Sequence, residues 1–318
     1  MAIDDFHLPR GVRRHIPRSV KDMPRALIFI WKHRHLRVPG LSPNILVRLS
    51  QQVLALIGFN RRYAVFLPDL PIYRNAIRKT LFLHACRAFQ DKTKQPPAFI
   101  MRWQDTTIAD NCIKLNHFAS DNRVLNIGCR DISKSIVEQA ASSILGYSTK
   151  IDPLVYRGKA VEKSDSENGR HDGKVVICPL PPDQVNSECI YMILINNETD
   201  DQMVEDLRVP IIDGAIPFVY RKVRPLADRF SNTNSKVTVA RTDDLFSDEE
   251  VRQIVACAKA MGLDYAEADI LRNRDDGRIY FIDTNWCAYG FPNHITLKDE
   301  RIAAEGYVRS FSHFFVKK

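Results

Sequence analysis

The sequence lacks paired cysteines, long hydrophobic runs and the familiar signatures of hydrolases and dinucleotide-binding proteins. Its seven cysteines are scattered over 318 residues without a CxxC spacing. This argues against a disulfide framework or a structural zinc site and predicts a reducing, cytoplasmic environment. The longest apolar runs, at residues 26–31 and 53–59, fall far short of the roughly 20 residues that a membrane-spanning helix needs. Walker A, GxSxG, HExxH and Rossmann glycine patterns are all absent.

Positive charge is concentrated at the beginning of the chain. Residues 1–90 contain 16 Lys and Arg against 4 Asp and Glu, whereas the remaining residues contain 30 against 34. A basic surface of this kind attracts anionic membranes, nucleic acids or acidic proteins. Few aromatic residues are interleaved with the basic residues at 10–37, which argues against a nucleic-acid partner.

We expect residues 1–95 to form a basic, helical N-terminal region that precedes a domain over residues 96–318. Several prolines break this region into short pieces, and one helix is predicted over residues 43–57. The apolar positions that share one face of this helix are Ile45, Leu46, Leu49, Val53 and Leu56. Two interpretations stay open: the region packs on the main domain, or it docks on an anionic membrane surface or a protein partner. The second interpretation would place a cytoplasmic protein at the periphery of the membrane.

The rest of the chain predicts an α+β domain, because short strand-like runs alternate with helical patterns. Strands are predicted at residues 124–127, 160–163, 174–178, 189–195, 207–212 and 216–220. A helix over residues 133–145 is followed by Gly146, and the dipeptide Asp213-Gly214 is a hairpin turn signal. The clearest helix covers residues 248–261, where Ser247 and Glu250 form a capping box.

A second predicted hairpin carries the most informative acids. Residues 275–277 suit a three-residue turn that ends in glycine, and this turn would pair Arg274 with Arg278. The same register places Asp269 directly opposite Asp283 on the neighbouring strand. Two carboxylates that face each other on buried strands repel, and a cation between them would remove that conflict.

Magnesium is the cation that such a site favours, since it prefers hard oxygen ligands, typically one or two carboxylates together with substrate phosphates. The two-residue alternation of a strand adds Asn285 to the face of Asp283. We interpret Glu267 as a structural residue on the face opposite Asp269. A solvated hairpin with incidental acids is the alternative to a metal site.

A lysine at the end of a strand, followed by a glycine-containing turn, forms a second candidate site. Lys163 ends one predicted strand, residues 168–173 form the turn, and Lys174 begins the returning strand. The lysine would offer a point charge and the turn would offer backbone amides, and both suit phosphate groups. A plain β-hairpin with a polar tip has the same pattern, so the spacing alone does not decide between these readings.

The order of these elements resembles the ATP-grasp superfamily, which includes D-alanine–D-alanine ligase and glutathione synthetase. The resemblance covers residues 126–292, and its strongest part is an acid, a loop and then acid-x-Asn, formed here by Asp269, Asp283 and Asn285. It implies an ATP-grasp fold in which two α+β lobes enclose a nucleotide, with these three residues as magnesium ligands. The second acid, usually Glu, is Asp283 here, and residues 168–173 replace the usual Gly-Gly lid.

The resemblance also implies how ATP and the other substrates bind. The residues that it places against ATP are Lys134 and Lys163 at the phosphates and Met192, Ile193 and Leu194 at the adenine. Arg208 and Arg224 would act as catalytic residues on the acyl-phosphate side. The implied activity is an ATP- and Mg²⁺-dependent ligase that activates a small carboxylate as an acyl phosphate for attack by an amine or another nucleophile. A kinase that uses the same fold and a non-catalytic nucleotide-binding scaffold stay open as alternatives.

Overall fold

The computed structural model of the chain describes residues 22–57, 62–90, 96–120, 122–166, 172–199, 202–231 and 233–315. The helices are α1 (Met23–Lys32), α2 (Ile45–Leu56), α3 (Ala76–Leu83), α4 (Ile113–Ala119), α5 (Lys134–Leu145), α6 (Asp248–Ala260) and α7 (Leu297–Phe315). The strands are β1 (Tyr63–Pro68), β2 (Arg87–Phe89), β3 (Ile100–Trp103), β4 (Val124–Leu125), β5 (Gly158–Ser164), β6 (Lys174–Cys178), β7 (Cys189–Ile193), β8 (Met203–Ile212), β9 (Val219–Pro225), β10 (Lys236–Ala240), β11 (Tyr265–Arg272) and β12 (Ile279–Asn285). The predicted α+β class is confirmed.

The strands form three sheets. One is parallel, in the order β2-β1-β3-β4. The other two are antiparallel: a three-stranded sheet in the order β6-β5-β7 and a five-stranded sheet in the order β10-β9-β8-β11-β12. Helix α5 contacts both β12 and α6, so it packs beside the edge of the five-stranded sheet. An antiparallel sheet needs only one covered face, which leaves the other face for solvent or a ligand.

The prediction that residues 1–95 form a helical region is not confirmed. Helices α1, α2 and α3 lie there, but so do β1 and β2, and β1 pairs directly with β3 of the predicted second domain. The predicted boundary therefore falls between paired strands of one sheet. Strand β1 is buried along almost its whole length, as a strand inside a parallel sheet is, so it has no two-residue alternation that would reveal it. The basic residues at 10–21 lie outside the described ranges.

Helix α2 forms where the spacing predicts it, but only part of the predicted apolar face turns inward: Leu49 and Leu56 pack on the core. Asn44 caps it by accepting a hydrogen bond from the N–H group of Leu46 at 3.0 Å. Leu46 and Val53, members of the predicted apolar stripe, are exposed, whereas Arg48 and Gln52 are buried. Spacing predicts the helix, but the contacts with its neighbours decide which face turns inward. Among the described residues, no helix is both long and apolar enough to cross a bilayer.

The local signals in the second half of the chain are confirmed. Helix α5 ends at Gly146, whose φ is 78°. Ser247 and Glu250 form the predicted capping box at the beginning of α6. Asp213 and Gly214 have φ values of 49° and 79°, and the residues on either side of them exchange two backbone hydrogen bonds, as in a type I′ turn.

Gly262 ends helix α6 and brings two backbone segments unusually close together. Its φ is 75°, in the left-handed region, and its Cα packs against Gly128. A Cβ at residue 262 would lie 2.5 Å from the carbonyl carbon of Gly128 and 2.8 Å from the nitrogen of Cys129. Both neighbours are backbone atoms, so no side-chain rotation relieves the clash. This contact helps to set the position of β11, which begins shortly after it.

We predict that Gly262→Ala lowers the free energy of unfolding by more than about 3 kcal/mol, because a left-handed penalty of about 1–2 kcal/mol adds to the overpacking cost. Gly277→Ala is the matched control: its φ is 71°, but nothing lies within 4 Å of a Cβ there. The control should therefore lose only about 1–2 kcal/mol. Urea unfolding measures both losses, and equal losses would contradict the close approach at Gly262.

Candidate active site

One cleft is lined by residues of both antiparallel sheets, and it collects nine of the ten predicted site residues. The predicted residues in it are Lys134, Lys163, Met192, Ile193, Leu194, Arg208, Arg224, Asp269 and Asp283. Further lining residues that the sequence analysis did not assign include Asn197, Asp206, Lys222, Arg229 and Phe230. Six of all the lining side chains are Lys or Arg and three are Asp, so the cleft attracts anions.

Asp269 and Asp283 lie directly opposite each other on β11 and β12, as predicted. The turn does not have the predicted register, however, because the N–H of Asn273 donates to the carbonyl of Arg278 at 2.9 Å and the turn is one residue longer. A β-bulge beside Asp269 shifts the register back, with Ile282 as the additional residue. The longer turn and the bulge shift the strand register in opposite directions, so Asp269 and Asp283 are paired as predicted. Ile282 and Asp283 both line the cleft.

Asp269 is held by two cations from neighbouring strands. Its Oδ2 accepts a hydrogen bond from Arg208 Nη1 at 3.0 Å, and its Oδ1 lies 3.6 Å from Lys222 Nζ. Burial by itself would raise the pKa of Asp269, but the attraction of Arg208 and Lys222 outweighs it and lowers the pKa to about 2. Asp269 is therefore a carboxylate at every physiological pH.

Asp283 is in the opposite electrostatic situation. Its carboxylate accepts a hydrogen bond from the N–H of Thr284 at 2.8 Å, and no Lys or Arg of the described residues lies within 4.0 Å of it. Burial raises the pKa of Asp283, the negative charge of Asp269 adds to the rise, and the more distant Lys134 and Lys163 oppose it. Asp283 is thus a carboxylate that still lacks a cation in contact.

Lys134 and Lys163 enter the cleft from two different elements. Lys134 begins helix α5 and is buried, and Lys163 lies near the end of β5. Burial lowers the pKa of Lys163, while the charge of Asp283 opposes the shift. Neither ammonium group has a carboxylate within 4.0 Å among the described residues. Both are therefore available to an anionic ligand. The spacing of the sequence pointed only to Lys163, whereas the resemblance implied Lys134 and the shared phosphate site, which stays a prediction.

Arg208 bridges two acids, and this corrects the interpretation of Glu267. Arg208 Nε donates to Glu267 Oε2 at 2.8 Å, while Nη1 donates to Asp269. Residues 267 and 269 are two apart on one strand, so both side chains lie on the same face and the assignment of opposite faces was wrong. The two carboxylates raise the pKa of Arg208 even though its burial opposes the rise. Glu267 is buried and therefore fixes the guanidinium group beside the cleft.

Arg224 is buried at the centre of a polar network. It forms an ion pair with Asp206, and its Nη1 donates to the carbonyls of Arg229 and Ser231 at 2.9 and 3.1 Å. Asn197 also donates to Asp206, at 2.9 Å. The Arg224 guanidinium therefore orders the segment that follows β9, and its assignment to the acyl-phosphate side stays a prediction.

Residues 192–194, at the end of β7 and directly after it, line the cleft with their apolar side chains. We call them the hinge segment. Met192 and Ile193 are followed by Leu194, whose N–H donates to the carbonyl of Lys159 at 3.3 Å. The carbonyl of Ile195 accepts a hydrogen bond from Arg229 at 3.2 Å, which ties the hinge to the network around Arg224. The apolar wall suits a flat heteroaromatic ring, but the Leu194 N–H and the Ile195 carbonyl already have hydrogen-bond partners, and the adenine site stays a prediction.

Asn285 is the predicted ligand that the structure does not place against the cleft. It pairs with Glu267 across the strands, and its Oδ1 accepts a hydrogen bond from the N–H of Cys287 at 2.7 Å. The oxygen that would meet a metal ion is thus engaged with the turn after β12. Its role as a ligand stays a prediction and requires the side chain to give up this hydrogen bond.

The two carboxylates fit a divalent cation that is completed by oxygens from a ligand. In the ranges that the structure describes, no three His, Cys, Asp or Glu side chains come together as a full metal site. However, Asp269 Oδ1 is buried without a hydrogen-bond donor, and Asp283 faces the same cleft. Magnesium commonly takes one or two carboxylates and draws its other ligands from phosphates and water. The glycine-containing turn predicted to cover phosphates lies largely outside the described residues, at 168–171.

No family model and no curated protein matches this sequence. The ATP-grasp ligase PsnB, complexed with a phosphomimetic variant of minimal precursor, Mg and ADP, is 15% identical over 78% of this chain and 98% of the other, with a TM-score of 0.48. D-alanine–D-alanine ligase from Bacillus anthracis, complexed with ATP, is 14% identical over 79% and 95%, with a TM-score of 0.46. D-cycloserine synthetase DcsG is 10% identical over 80% and 99%, with a TM-score of 0.46. These values describe a similarity to ATP-grasp ligases, and they assign this chain no family, activity, substrate or partner.

Because the two acids differ in their surroundings, we predict that an Asp→Asn substitution changes the stability of the metal-free protein in opposite directions at the two positions. The fold raises the pKa of Asp283 above the ordinary value of 3.8, so ionising this carboxyl costs stability at any pH above that value. Asp283→Asn should therefore raise the Tm at pH 7, and the gain should vanish below about pH 3.8. Asp269→Asn should instead lower stability by about 1.5–3 kcal/mol, since Arg208 loses a charged acceptor. Calorimetric unfolding without metal or nucleotide measures both, and a destabilised Asp283→Asn would contradict this account.

Proposed function

We propose that the chain is an ATP- and Mg²⁺-dependent ligase of ATP-grasp type. The observation that carries the proposal is the cleft between the antiparallel sheets, where two lysines without carboxylate partners lie with two opposed carboxylates. A nucleoside triphosphate with a divalent cation supplies the anion that the lysines lack and the cation that the acids lack. The phosphates would contact Lys134 and Lys163, and the cation would contact Asp269 and Asp283. All seven cysteines are unpaired, which supports the predicted cytoplasmic location.

Each group of the cleft has a distinct part in this proposal. The lysines bind and orient the phosphates, and the hinge segment from Met192 to Leu194 receives the adenine. The cation, once bound, neutralises phosphate charge and polarises the transferred group. Arg208 is held in place by Glu267 and Asp269 and offers its remaining N–H donors to an anionic oxygen on the substrate side.

The reaction that we assign to this cleft has two balanced steps. In the first step, a substrate carboxylate oxygen attacks the γ-phosphorus of ATP, the bond to the β-phosphate oxygen breaks, and ADP and an acyl phosphate form. In the second step, an amine or another nucleophile attacks the acyl carbon, and phosphate leaves with the former carboxylate oxygen. Phosphoryl transfer of this kind depends on positioned positive charges more than on covalent catalysis. The cleft offers such charges.

The decisive experiment follows an oxygen atom. The protein is incubated with ATP, Mg²⁺, pools of metabolite carboxylates labelled with ¹⁸O and pools of amines and alcohols, and the products are analysed by mass spectrometry. A ligase forms an amide or ester, releases ADP and transfers one ¹⁸O to phosphate. A phosphorylated hydroxyl compound without free phosphate identifies a kinase, and ATP binding without ADP release identifies a scaffold.

Lys163 gives the sharpest test of phosphate binding. We predict that Lys163→Ala weakens ATP binding by about 10- to 150-fold, because a charge-assisted hydrogen bond contributes roughly 1.5–3 kcal/mol. Lys174→Ala is the control, since that lysine is exposed, pairs with Glu162 at 2.8 Å and does not line the cleft. Titration calorimetry measures both affinities, and an equal effect of the two substitutions would exclude Lys163 as a phosphate ligand.

Asp283 and Asn285 together test whether one ion uses both side chains. Residues that bind the same ion act as a unit, so the double variant Asp283→Asn/Asn285→Ala should turn over little more slowly than Asp283→Asn alone. Both variants should still bind ATP, because the lysines and the hinge segment are unchanged. The rates of ADP release by the two single variants and the double variant show whether one ion contacts both side chains. Fully additive losses would mean that Asn285 keeps its hydrogen bond to Cys287 and binds no ion.

A further inference from the structure

Helix α2 exposes an apolar face, and its inner face is partly polar. The inner face combines the buried Arg48, Gln52 and Ala55 with Leu49 and Leu56, which pack on the core, while the outward positions are almost all apolar. Ile45 is exposed at the first position of the helix, and the other outward positions are Leu46, Val47, Ser50, Val53, Leu54 and the capping residue Ile57. At 100° per residue, these other positions fall within an arc of about 120°, so they form one continuous face. Leu46 is 74% exposed.

The buried polar residues lock this orientation. Arg48 donates to the carbonyls of Ser42 and Pro43 at 3.0 and 3.2 Å and to that of Arg34 at 2.7 Å. Gln52 donates to the carbonyl of Leu83 at 2.7 Å. Turning the helix to bury its apolar face would break these hydrogen bonds and leave buried carbonyls unpaired, which is costly. The outward apolar face is therefore built into the fold.

Helix α1, which packs against α2, also exposes apolar side chains. Its exposed positions Pro24, Leu27, Ile28 and Trp31 share one face, which the exposed Arg25 and Lys32 flank, and Trp31 is 58% exposed. Its opposite face packs into the core through Phe29 and Ile30. Two neighbouring helices thus each present an apolar face outward, and exposed patches of this kind mark an interaction surface.

We propose that the outward faces of α1 and α2 dock on an anionic lipid bilayer. Basic residues flank them: residues 22–57 contain five Lys and Arg, of which only Arg48 is buried, and a single acid, Asp22. In the sequence, Arg10, Arg13, Arg14, Arg18 and Lys21 precede α1 directly. Such a combination of an apolar helix face and surrounding basic residues is typical of helices that lie in the interface of a membrane.

The chemistry of the face favours a bilayer over a protein. The polar side chain of the α2 face is Ser50, and its hydroxyl already donates to the carbonyl of Val47 at 2.7 Å. Protein interfaces carry about one hydrogen bond per 100–200 Å², and this face offers almost none. The Trp31 ring, with the Arg34 guanidinium 4.3 Å from its centroid, has the pairing of aromatic ring and cation that suits the headgroup level.

The three tryptophans supply a test that needs no substitution. Trp103 and Trp286 are buried, so Trp31 is the tryptophan that vesicles can reach. Adding vesicles of phosphatidylcholine with about one third phosphatidylserine should shift the emission to the blue, and brominated lipid should quench it. Pure phosphatidylcholine should bind more weakly, and raising the salt should reduce binding to anionic vesicles because the charges are screened. An unchanged spectrum at low salt would overturn the proposal.

Substitutions test the face itself. Leu46→Asn/Leu54→Asn should reduce the partition coefficient on anionic vesicles by about tenfold per leucine, as lost apolar burial requires. The matched control is Ile113→Asn/Val155→Asn, which removes two apolar side chains that are 79% and 71% exposed outside α1 and α2, and it should bind like the wild type. Equal binding by both variants would contradict the docking face.

Two further measurements keep the outcome clear. Both variants should unfold at the wild-type temperature, because only exposed side chains change. Deleting residues 1–40 is not a suitable test, since it removes Phe29, Leu36 and Val38 from the core.

Light scattering after gel filtration gives the oligomeric state. A wild-type dimer that Leu46→Asn/Leu54→Asn converts to a monomer would show that a second copy, and not a bilayer, covers the face. A monomer that ignores anionic vesicles would overturn the proposal.

Discussion

The ion pairs around Asp269 determine much of the cleft. Asp269 lies on β11, and two cations reach it: Arg208 from β8, which pairs with β11, and Lys222 from β9, the strand beyond β8. Three strands of one sheet are thereby tied together on the same face. The pairs also neutralise one of the two opposed acids, whereas Asp283 has no Lys or Arg within 4.0 Å in the part of the chain that the structure describes. The divalent cation that we assign to the cleft follows from that asymmetry.

An incomplete set of charges in a folded protein points to the ligand that completes it. Lys134 and Lys163 have no carboxylate partner among the described residues, and Asp283 has no cation within 4.0 Å of it. Burying charged groups without partners costs stability. Groups whose pKa values are perturbed in this way cluster at functional sites. A triphosphate with a divalent cation matches both deficits at once. Arg208 differs from these residues because Glu267 already fixes it in position.

The sequence was most informative where local chemistry decides the structure, and least where packing decides it. Capping residues and the Asp213-Gly214 turn were predicted correctly because each depends on its own neighbours. The opposition of Asp269 and Asp283 was also correct, although the turn and the bulge each differ from the expected register by one residue. Strand β1 and the outward face of α2 were missed. Both depend on distant parts of the chain, such as β3 beside β1 and the carbonyl that Gln52 meets.

The central claim is that the cleft binds a nucleotide and a divalent cation together. Titration calorimetry with a non-hydrolysable ATP analogue, with and without Mg²⁺, tests it most directly. One nucleotide should bind per chain, and its affinity should rise strongly when Mg²⁺ is present, because the cation offsets the repulsion between the phosphates and the carboxylates of Asp269 and Asp283. Binding with the same affinity in the absence of any divalent cation, or no binding at all, would contradict the account.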